Sequence, residues 1–335
     1  MKVGCFMKPW ARIIIVAYKS GDHLQMCIDA LSLQTFSSFE VVIVNNDCPD
    51  DCTANLDYNA ETFCILDAGE NLGFAGGSNF GVDSAETEWV ITLNPDAFPQ
   101  PDWLEKLYSA SKKYPEAWCL SSTLLQYKRA EILDGFGDVF SIFGIAWRGG
   151  YGQSFANVPD EDVKVFGACG AGAAFKRDKF NLLGQFDTYY FCYLEDVDLA
   201  YRLQRTGGSC VQVVSALINH VGSGSVGKGS DFQMYQTYKN NFRLIVKNAP
   251  VILLPIQLVL YIVTQKYLLY KNRNNSGDGA RRTGFKAGLK DLPISFRARK
   301  TNKSAFKFGT FYILSKIAFS LKSVRKQSIK YWPLY

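Results

Sequence analysis

Residues 12–17 (RIIIVA) form an unbroken β-branched run, closed by the polar Tyr18-Lys19-Ser20-Gly21. A run apolar on both alternating faces predicts a strand buried inside a parallel sheet. From 22 to 34 the spacing lengthens: Leu24, Cys27, Ile28, Leu31 and Leu33 recur near the helical period. Further strands are predicted at 40–45 (EVVIVN), around 63–66 and at 89–93 (WVITL), with a helix over 102–113. The Gly-rich segment 71–81 (NLGFAGGSNFG) runs into a helix. Residues 121–165 are less regular and rich in glycine and aromatics; they resolve into the small-residue run 167–174 (GACGAGAA), whose use is close backbone approach. A helix is predicted over 195–206 (EDVDLAYRLQRT), stopped by Gly207-Gly208, and a strand at 210–214. Strands alternating with helices predict an open, mostly parallel α/β sheet. Ligands of such sheets sit beyond the carboxyl ends of the strands, where the polar clusters after Ala17, Asn45 and Leu93 fall.

Beyond about 230 the pattern changes, so the chain divides into a nucleotide-binding and catalytic domain, 1–230, and a basic, amphipathic helical region, 231–335. Residues 233–248 have helical spacing. Residues 251–263 (VILLPIQLVLYIV) are strongly apolar, but a spanning helix needs ~20 apolar residues, so no transmembrane segment is read here. Residues 271–303 are read as basic loop, and 305–322 as a further amphipathic basic stretch.

Composition sharpens this division. With 47% hydrophobic and 20% charged residues the chain is folded rather than disordered. Residues 1–227 carry 16 Lys+Arg against 28 Asp+Glu, and residues 228–335 carry 21 against 3. An acidic body with a basic tail leaves nucleic acid or an anionic membrane as partner. The tail's cations are interleaved with aliphatic and aromatic runs, which favours the membrane surface and argues against nucleic acid. The nine cysteines show no zinc-ligand spacing and are read as reduced thiols. The N-terminal MKVGCFMKPWAR lacks the apolar stretch of a signal peptide. A cytoplasmic protein, peripheral on the inner face of the plasma membrane, is expected.

Three segments carry candidate chemistry. Asn94-Pro95-Asp96 stands at a strand end and offers a metal ligand, although an ordinary Asn-Pro turn reads the same way. Glu195, Asp196 and Asp198 open a helix, where the dipole favours negative charge. Glu195 and Asp196 are adjacent on that helix and cannot both point the same way. His220, one of two histidines, begins a Gly/Ser loop (HVGSGS) able to approach a phosphate.

Taken in order, IIIVAYKSGDHLQMCIDALSLQ, VVIVNND, NLGFAGGSNFG, ITLNPDAFPQPDWL, FGACGAGAAFKRDKFNLLGQFDTYYFCYLEDVDLAYRLQRTG and NHVGSGS resemble the family 2 inverting glycosyltransferases of GT-A fold. Within them the likeness is to rhamnosyltransferase-like bacterial enzymes, over about residues 11–250. The resemblance implies a Rossmann-like sheet and a donor site built by Ala17, Tyr18, Asn45, Asp47, Asn71, Gly73, Phe74, Asn79, Asn94 and Asp96. It implies Mn2+ or Mg2+ held by Asp96, His220 and, secondarily, Asn94. Asp196 would be the catalytic base, with Glu195 and Gly170 on the acceptor side. Two positions depart from the family pattern: Asn45 stands where an Asp usually contacts the base, and the metal motif is an Asn-x-Asp variant. The implied reaction moves a sugar from a nucleotide-sugar to a glycan, lipid-linked, in bacterial polysaccharide, O-antigen or cell-wall assembly. Rhamnose from dTDP-rhamnose is favoured. UDP-linked galactofuranose, galactose, glucose or N-acetylhexosamine is the alternative, and a non-catalytic nucleotide-sugar-binding homologue is a weaker one. A sugar nucleotidyltransferase would need a Gly-rich, basic phosphate loop after the first strand, where this chain has AYKSGDHL. A processive synthase would need several spanning helices and a Gln-x-x-Arg-Trp signature. The sequence leaves a homo-oligomer open.

Overall fold

A computed structural model of the chain describes residues 8–222, 229–273, 275–302 and 306–334. The catalytic half runs β1 (Ala11–Ala17), α1 (His23–Ser32), β2 (Phe39–Asn45), β3 (Phe63–Asp67), α2 (Gly73–Val82), β4 (Trp89–Leu93), β5 (Ala97–Pro99) and α3 (Trp103–Lys113). It continues with β6 (Ala117–Gln126), β7 (Arg129–Phe136), β8 (Asp138–Phe140), β9 (Ala146–Arg148), β10 (Val163–Val165), β11 (Gly172–Lys176), α4 (Arg177–Leu182), α5 (Glu195–Thr206) and β12 (Ser209–His220). Six helices follow: α6 (Asp231–Asn248), α7 (Leu253–Lys271), α8 (Asp278–Lys290), α9 (Leu292–Asn302), α10 (Thr310–Lys316) and α11 (Leu321–Lys326).

The main sheet has the order β10-β12-β6-β11-β4-β1-β2-β3, with β5 on β12 and β7 on β6. β1 pairs in parallel with both β2 and β4, while β11 is antiparallel to β4 and β6. The unbroken apolar run of β1 follows from burial on both faces. Ile13 and Ile15 enter the core under α1 and α3, and Ile14 and Val16 the core under α2. Gly77 and Gly81 seat α2 on β1, since a Cβ at either would collide with Val16 or Ile14. A third core joins α5 to the C-terminal helices, with Tyr190, Tyr201, Phe242, Tyr261 and Phe285 among its members.

Several expectations are corrected. Within 271–303, read as loop, Asp278–Lys290 and Leu292–Asn302 are instead the helices α8 and α9. The glycines that read as loop-formers let two helices approach: a Cβ at Gly284 or Gly288 would strike the α6 backbone at Tyr235 or Lys239. The strand expected at 210–214 runs on to His220 past an irregularity between Val213 and Leu217, because Ala216, Ile218 and His220 resume the buried alternation. Residues 121–165 hold the β6–β7 and β8–β9 hairpins. Cys48 and Cys52 are disulfide-bonded rather than reduced, since the turn at Pro49-Asp50-Asp51 brings their Cα atoms to 6.1 Å. The other described cysteines are free. The apolar segment 251–263 extends into the 19-residue α7, the helix among the described residues that is long and apolar enough to cross a membrane.

Candidate active site

The chain leaving β4 reverses into β5, which lies antiparallel on the end of β12 and pairs Ala97 with His220. That register sets the Asp96 carboxylate beside the imidazole: Oδ1 is 3.2 Å from His220 Nε2. The Asn94 amide lies 3.3 Å from the same nitrogen. The second ring nitrogen, Nδ1, meets Asp134 Oδ2 at 2.7 Å. Asp134 in turn pairs with Arg148. Asp96, Asp134 and His220 are all buried. Sequence reasoning finds Asp96, Asn94 and His220 but misses Asp134. Asp134 lies 86 residues before His220 in an unremarkable Gly/aromatic stretch, and only the β6–β7 pairing beside β12 brings it there. Burial alone would lower the His220 pKa, but the hydrogen bonds to Asp134 and Asp96 lift it to about 9. Ser223-Gly224-Ser225 of the expected phosphate loop lie outside the described residues.

The carboxylates opening α5 have three different surroundings. Asp196 Oδ2 accepts the Gly170 N–H at 3.0 Å, and Oδ1 accepts the Val197 N–H at 2.8 Å. Gly170 is small of necessity, since a Cβ there would come within 3.1 Å of the Phe74 ring. Burial raises the Asp196 pKa, restrained by those two N–H groups and by Arg148. Glu195 is buried, with Oε2 lacking a hydrogen-bond partner among the described residues, and burial followed by the Asp196 charge pushes its pKa well up. Asp198 accepts from Tyr190, Arg202, Lys247 and Asn248. Burial works to raise its pKa, but Arg202 and Lys247 prevail and hold it low. Arg148 connects the two groups, since it pairs with Asp134 and its charge also acts on Asp138 and Asp196. Asp138, a buried carboxylate that sequence reasoning does not single out, is pushed well up by burial and then by the Asp196 charge.

The remaining expected positions line the β1–β2 end of the sheet. Ala17 closes β1 and accepts the Asn46 N–H at 3.1 Å; Tyr18 is half-buried beside it. Asn45 Oδ1 receives the Cys48 N–H at 3.3 Å, and Asp47 is exposed with φ 58°. Asn46, also missed, is buried and ties Asn71 to the sheet: its Nδ2 donates to Asn71 Oδ1 at 3.0 Å and its Oδ1 accepts from Leu72 N at 2.9 Å. Gly73 has φ 69°, and a Cβ on it would collide with the Phe191 carbonyl. Asn79 uses both ends of its amide on the Phe186 backbone, at 2.8 and 3.1 Å.

An Asn-x-Asp turn facing a histidine and a backbone-anchored carboxylate opening α5 are thus linked through Arg148. The sequence model of Glycosyl transferase family 2 matches residues 12–183, about half of the chain. The chain belongs to glycosyl transferase family 2. Among similar family 2 enzymes, N-acetylglucosaminyl-diphospho-decaprenol L-rhamnosyltransferase of Mycobacterium tuberculosis is 26% identical over 254 residues, covering 69% of this chain and 82% of the relative. A low-salt glycan biosynthesis hexosyltransferase of Haloferax volcanii is 24% identical, covering 69% and 73%. The fold is GT-A-like. Mannosyltransferase PcManGT of Pyrobaculum calidifontis, in complex with GDP-Man and Mn2+, superposes with TM-score 0.54 at 16% identity over 90% of this chain and 86% of its own. GalNAc-T7 with UDP, GalNAc and Mn2+ superposes with TM-score 0.58 at 14% identity, over 88% of this chain and 58% of that one.

Proposed function

We propose that this family 2 glycosyltransferase is metal-dependent and inverting, and that it moves a sugar, rhamnose from dTDP-rhamnose in the favoured case, to a hydroxyl of a lipid-linked glycan. The observation that carries the reading is the buried facing pair Asp96–His220 at 3.2 Å, with Arg148 between it and the backbone-anchored Asp196. Asp96 and His220, with Asn94 beside them, offer the mixed oxygen/nitrogen set that suits Mn2+ or Mg2+. Bound there, the ion would neutralise the diphosphate of the donor. Ala17, Tyr18, Asn45 and Asp47 would hold the nucleotide, and Asn71, Gly73, Phe74 and Asn79 shape the wall beside the sugar. Asp196 would take the proton of the acceptor hydroxyl as its oxygen attacks the anomeric carbon, in line with the departing diphosphate. Glu195 and Gly170 would border the acceptor. The rhamnosyltransferase likeness supports both the donor sugar and the lipid-diphosphate acceptor class.

The C-terminal region supports docking on an anionic membrane. Along α7, Leu253, Gln257, Tyr261, Gln265 and Leu269 face the protein. On the other side Ile252, Ile256, Val259, Val263, Tyr267 and Tyr270, spaced by three or four residues, are 47 to 66% exposed. An apolar stripe on a strongly basic segment fits a helix lying in the interface of the inner leaflet.

The first test is binding and slow hydrolysis of dTDP-rhamnose, UDP-galactofuranose, UDP-galactose, UDP-glucose and UDP-N-acetylglucosamine, with Mn2+ or with EDTA. One donor, dTDP-rhamnose, turned over only with metal is the expected result. Turnover of a UDP-sugar alone would replace the donor assignment; binding of none would remove the catalytic reading.

A further inference from the structure

We propose that Asn240, on the first C-terminal helix, is a positioning residue for Asp196: it holds the turn from which the acidic motif springs. This rests on the role given to Asp196 above.

The turn 190–194 has an unusual backbone. Phe191 (φ 60°), Tyr193 (φ 70°) and Leu194 (φ 72°) are non-glycine residues in the left half of φ within four positions. Such conformations persist only where the surroundings over-determine them, and they gather at functional sites. Here one buried side chain contacts most of the turn's carbonyls. The two N–H hydrogens of Asn240 Nδ2 are shared among the carbonyls of Tyr190, Cys192 and Tyr193, which lie at 3.0, 3.1 and 2.9 Å, so that one of the bonds is bifurcated. The remaining carbonyl of that run, Phe191 O, accepts the Ala75 N–H of α2 at 3.1 Å and presses on Gly73. The turn is thus clamped between the donor wall on one side and α6 on the other, and the next residues are Glu195 and Asp196.

Asn240 is fully buried, yet its Oδ1 has no partner among the described residues. A buried amide half unsatisfied is costly, so its presence is explained by what its NH2 does rather than by its own satisfaction. The helix carrying it is fixed at both ends of the same stretch. Arg243 and Lys247 hold Asp187 before the turn, at 2.8 and 2.7 Å, and Lys247 and Asn248 hold Asp198 after it, at 2.8 and 2.7 Å. Asp196 is therefore held from the sheet side by Gly170 and from the α6 side through the turn that Asn240 binds.

The test uses the full chain with Asn240→Asp, Asn240→Ala and Asn240→Ser. Asp keeps the volume and replaces the donor by an acceptor facing three carbonyl oxygens; Ser keeps one donor hydrogen. Melting temperature, nucleoside diphosphate affinity with Mn2+, kcat and KM are measured, together with hydrogen exchange of amides 190–198. The expected result is a kcat loss on the order of 100-fold in Asn240→Asp and Asn240→Ala, the scale of a ~1 Å misplacement. A smaller loss is expected in Asn240→Ser, with nucleotide affinity within about threefold of the parent and exchange accelerated across 190–198. If Asp and Ala variants do not fold, Asn240→Ser carries the test. Unchanged kcat and exchange, or a kcat loss matched by an equal loss of nucleotide binding, would overturn the proposal. If the parent turns over no donor, the base assignment falls, and unchanged exchange in Asn240→Asp or Asn240→Ser would still overturn the clamp on its own.

Discussion

Each ring nitrogen of His220 faces a carboxylate, Nδ1 at 2.7 Å from Asp134 and Nε2 at 3.2 Å from Asp96. Burial opposes the charged ring, but the two hydrogen-bonded carboxylates outweigh it and raise the pKa to about 9. At pH 7 the ring is then mostly protonated, and freeing Nε2 for a metal costs about 3 kcal/mol. The proton occupies the place the metal would take. Metal binding must therefore release about one proton at pH 7, and the apparent affinity must rise about tenfold per pH unit up to pH ~9. Titration calorimetry of Mn2+ into the protein at pH 7, in two buffers of different ionisation enthalpy, reads the proton count directly. A second series from pH 6.5 to 8.5 reads the slope. Zero protons released with a flat affinity would refute His220 as a ligand and, with it, the metal site. The stability of the metal-free protein carries the opposite sign. A pKa raised from 6.5 to about 9 contributes about 3 kcal/mol that is fully present below pH 6.5 and lost as pH rises through 9. The metal-free melting temperature should fall over that window, while saturating Mn2+ reverses the trend.

Three other outcomes are expected. Asp196→Asn should lower donor-dependent turnover by about 100- to 10,000-fold while nucleotide affinity is kept, as steady-state kinetics beside equilibrium binding will show. Asp198→Asn should destabilise the fold by about 3–5 kcal/mol in urea denaturation, because Arg202 and Lys247 are left buried around an uncharged group. Val259→Glu with Val263→Glu, both on the exposed stripe of α7, should weaken co-sedimentation with anionic vesicles without moving the melting temperature, since both the apolar contact and the charge attraction are reduced. Undiminished sedimentation would remove α7 from the membrane reading.

What the sequence makes legible is what repeats locally. β1, β4 and α5 could be bounded from the apolar run, from WVITL and from the Gly207-Gly208 stop, because periodicity and caps are short-range. What it hides depends on register and close approach. Asp134 reaches His220 only through hairpin pairing, and Asn240 reaches the turn at 190–194 from about 50 residues away. Gly284 and Gly288 look like loop residues until α6 lies against them. Cys48 and Cys52 form a bond because of the turn between them, which spacing alone does not specify.

The three acidic residues opening α5 meet three different surroundings, which bears on the base proposed among them. Helical spacing turns the side chains in different directions, so adjacent residues meet different neighbours. Asp198 turns inward onto Arg202, Lys247 and Asn248 and is held charged, a strong partner for α6 but a weak proton acceptor. Glu195 is buried without a compensating cation and is driven toward its neutral form, in which it donates rather than accepts. Asp196 is raised by burial yet restrained by the N–H groups of Gly170 and Val197 and by Arg148. Environments that push neighbouring carboxyl groups apart assign them separate tasks. In the proposed mechanism the task of accepting a proton falls to the one whose position Gly170 and the turn at 190–194 jointly determine.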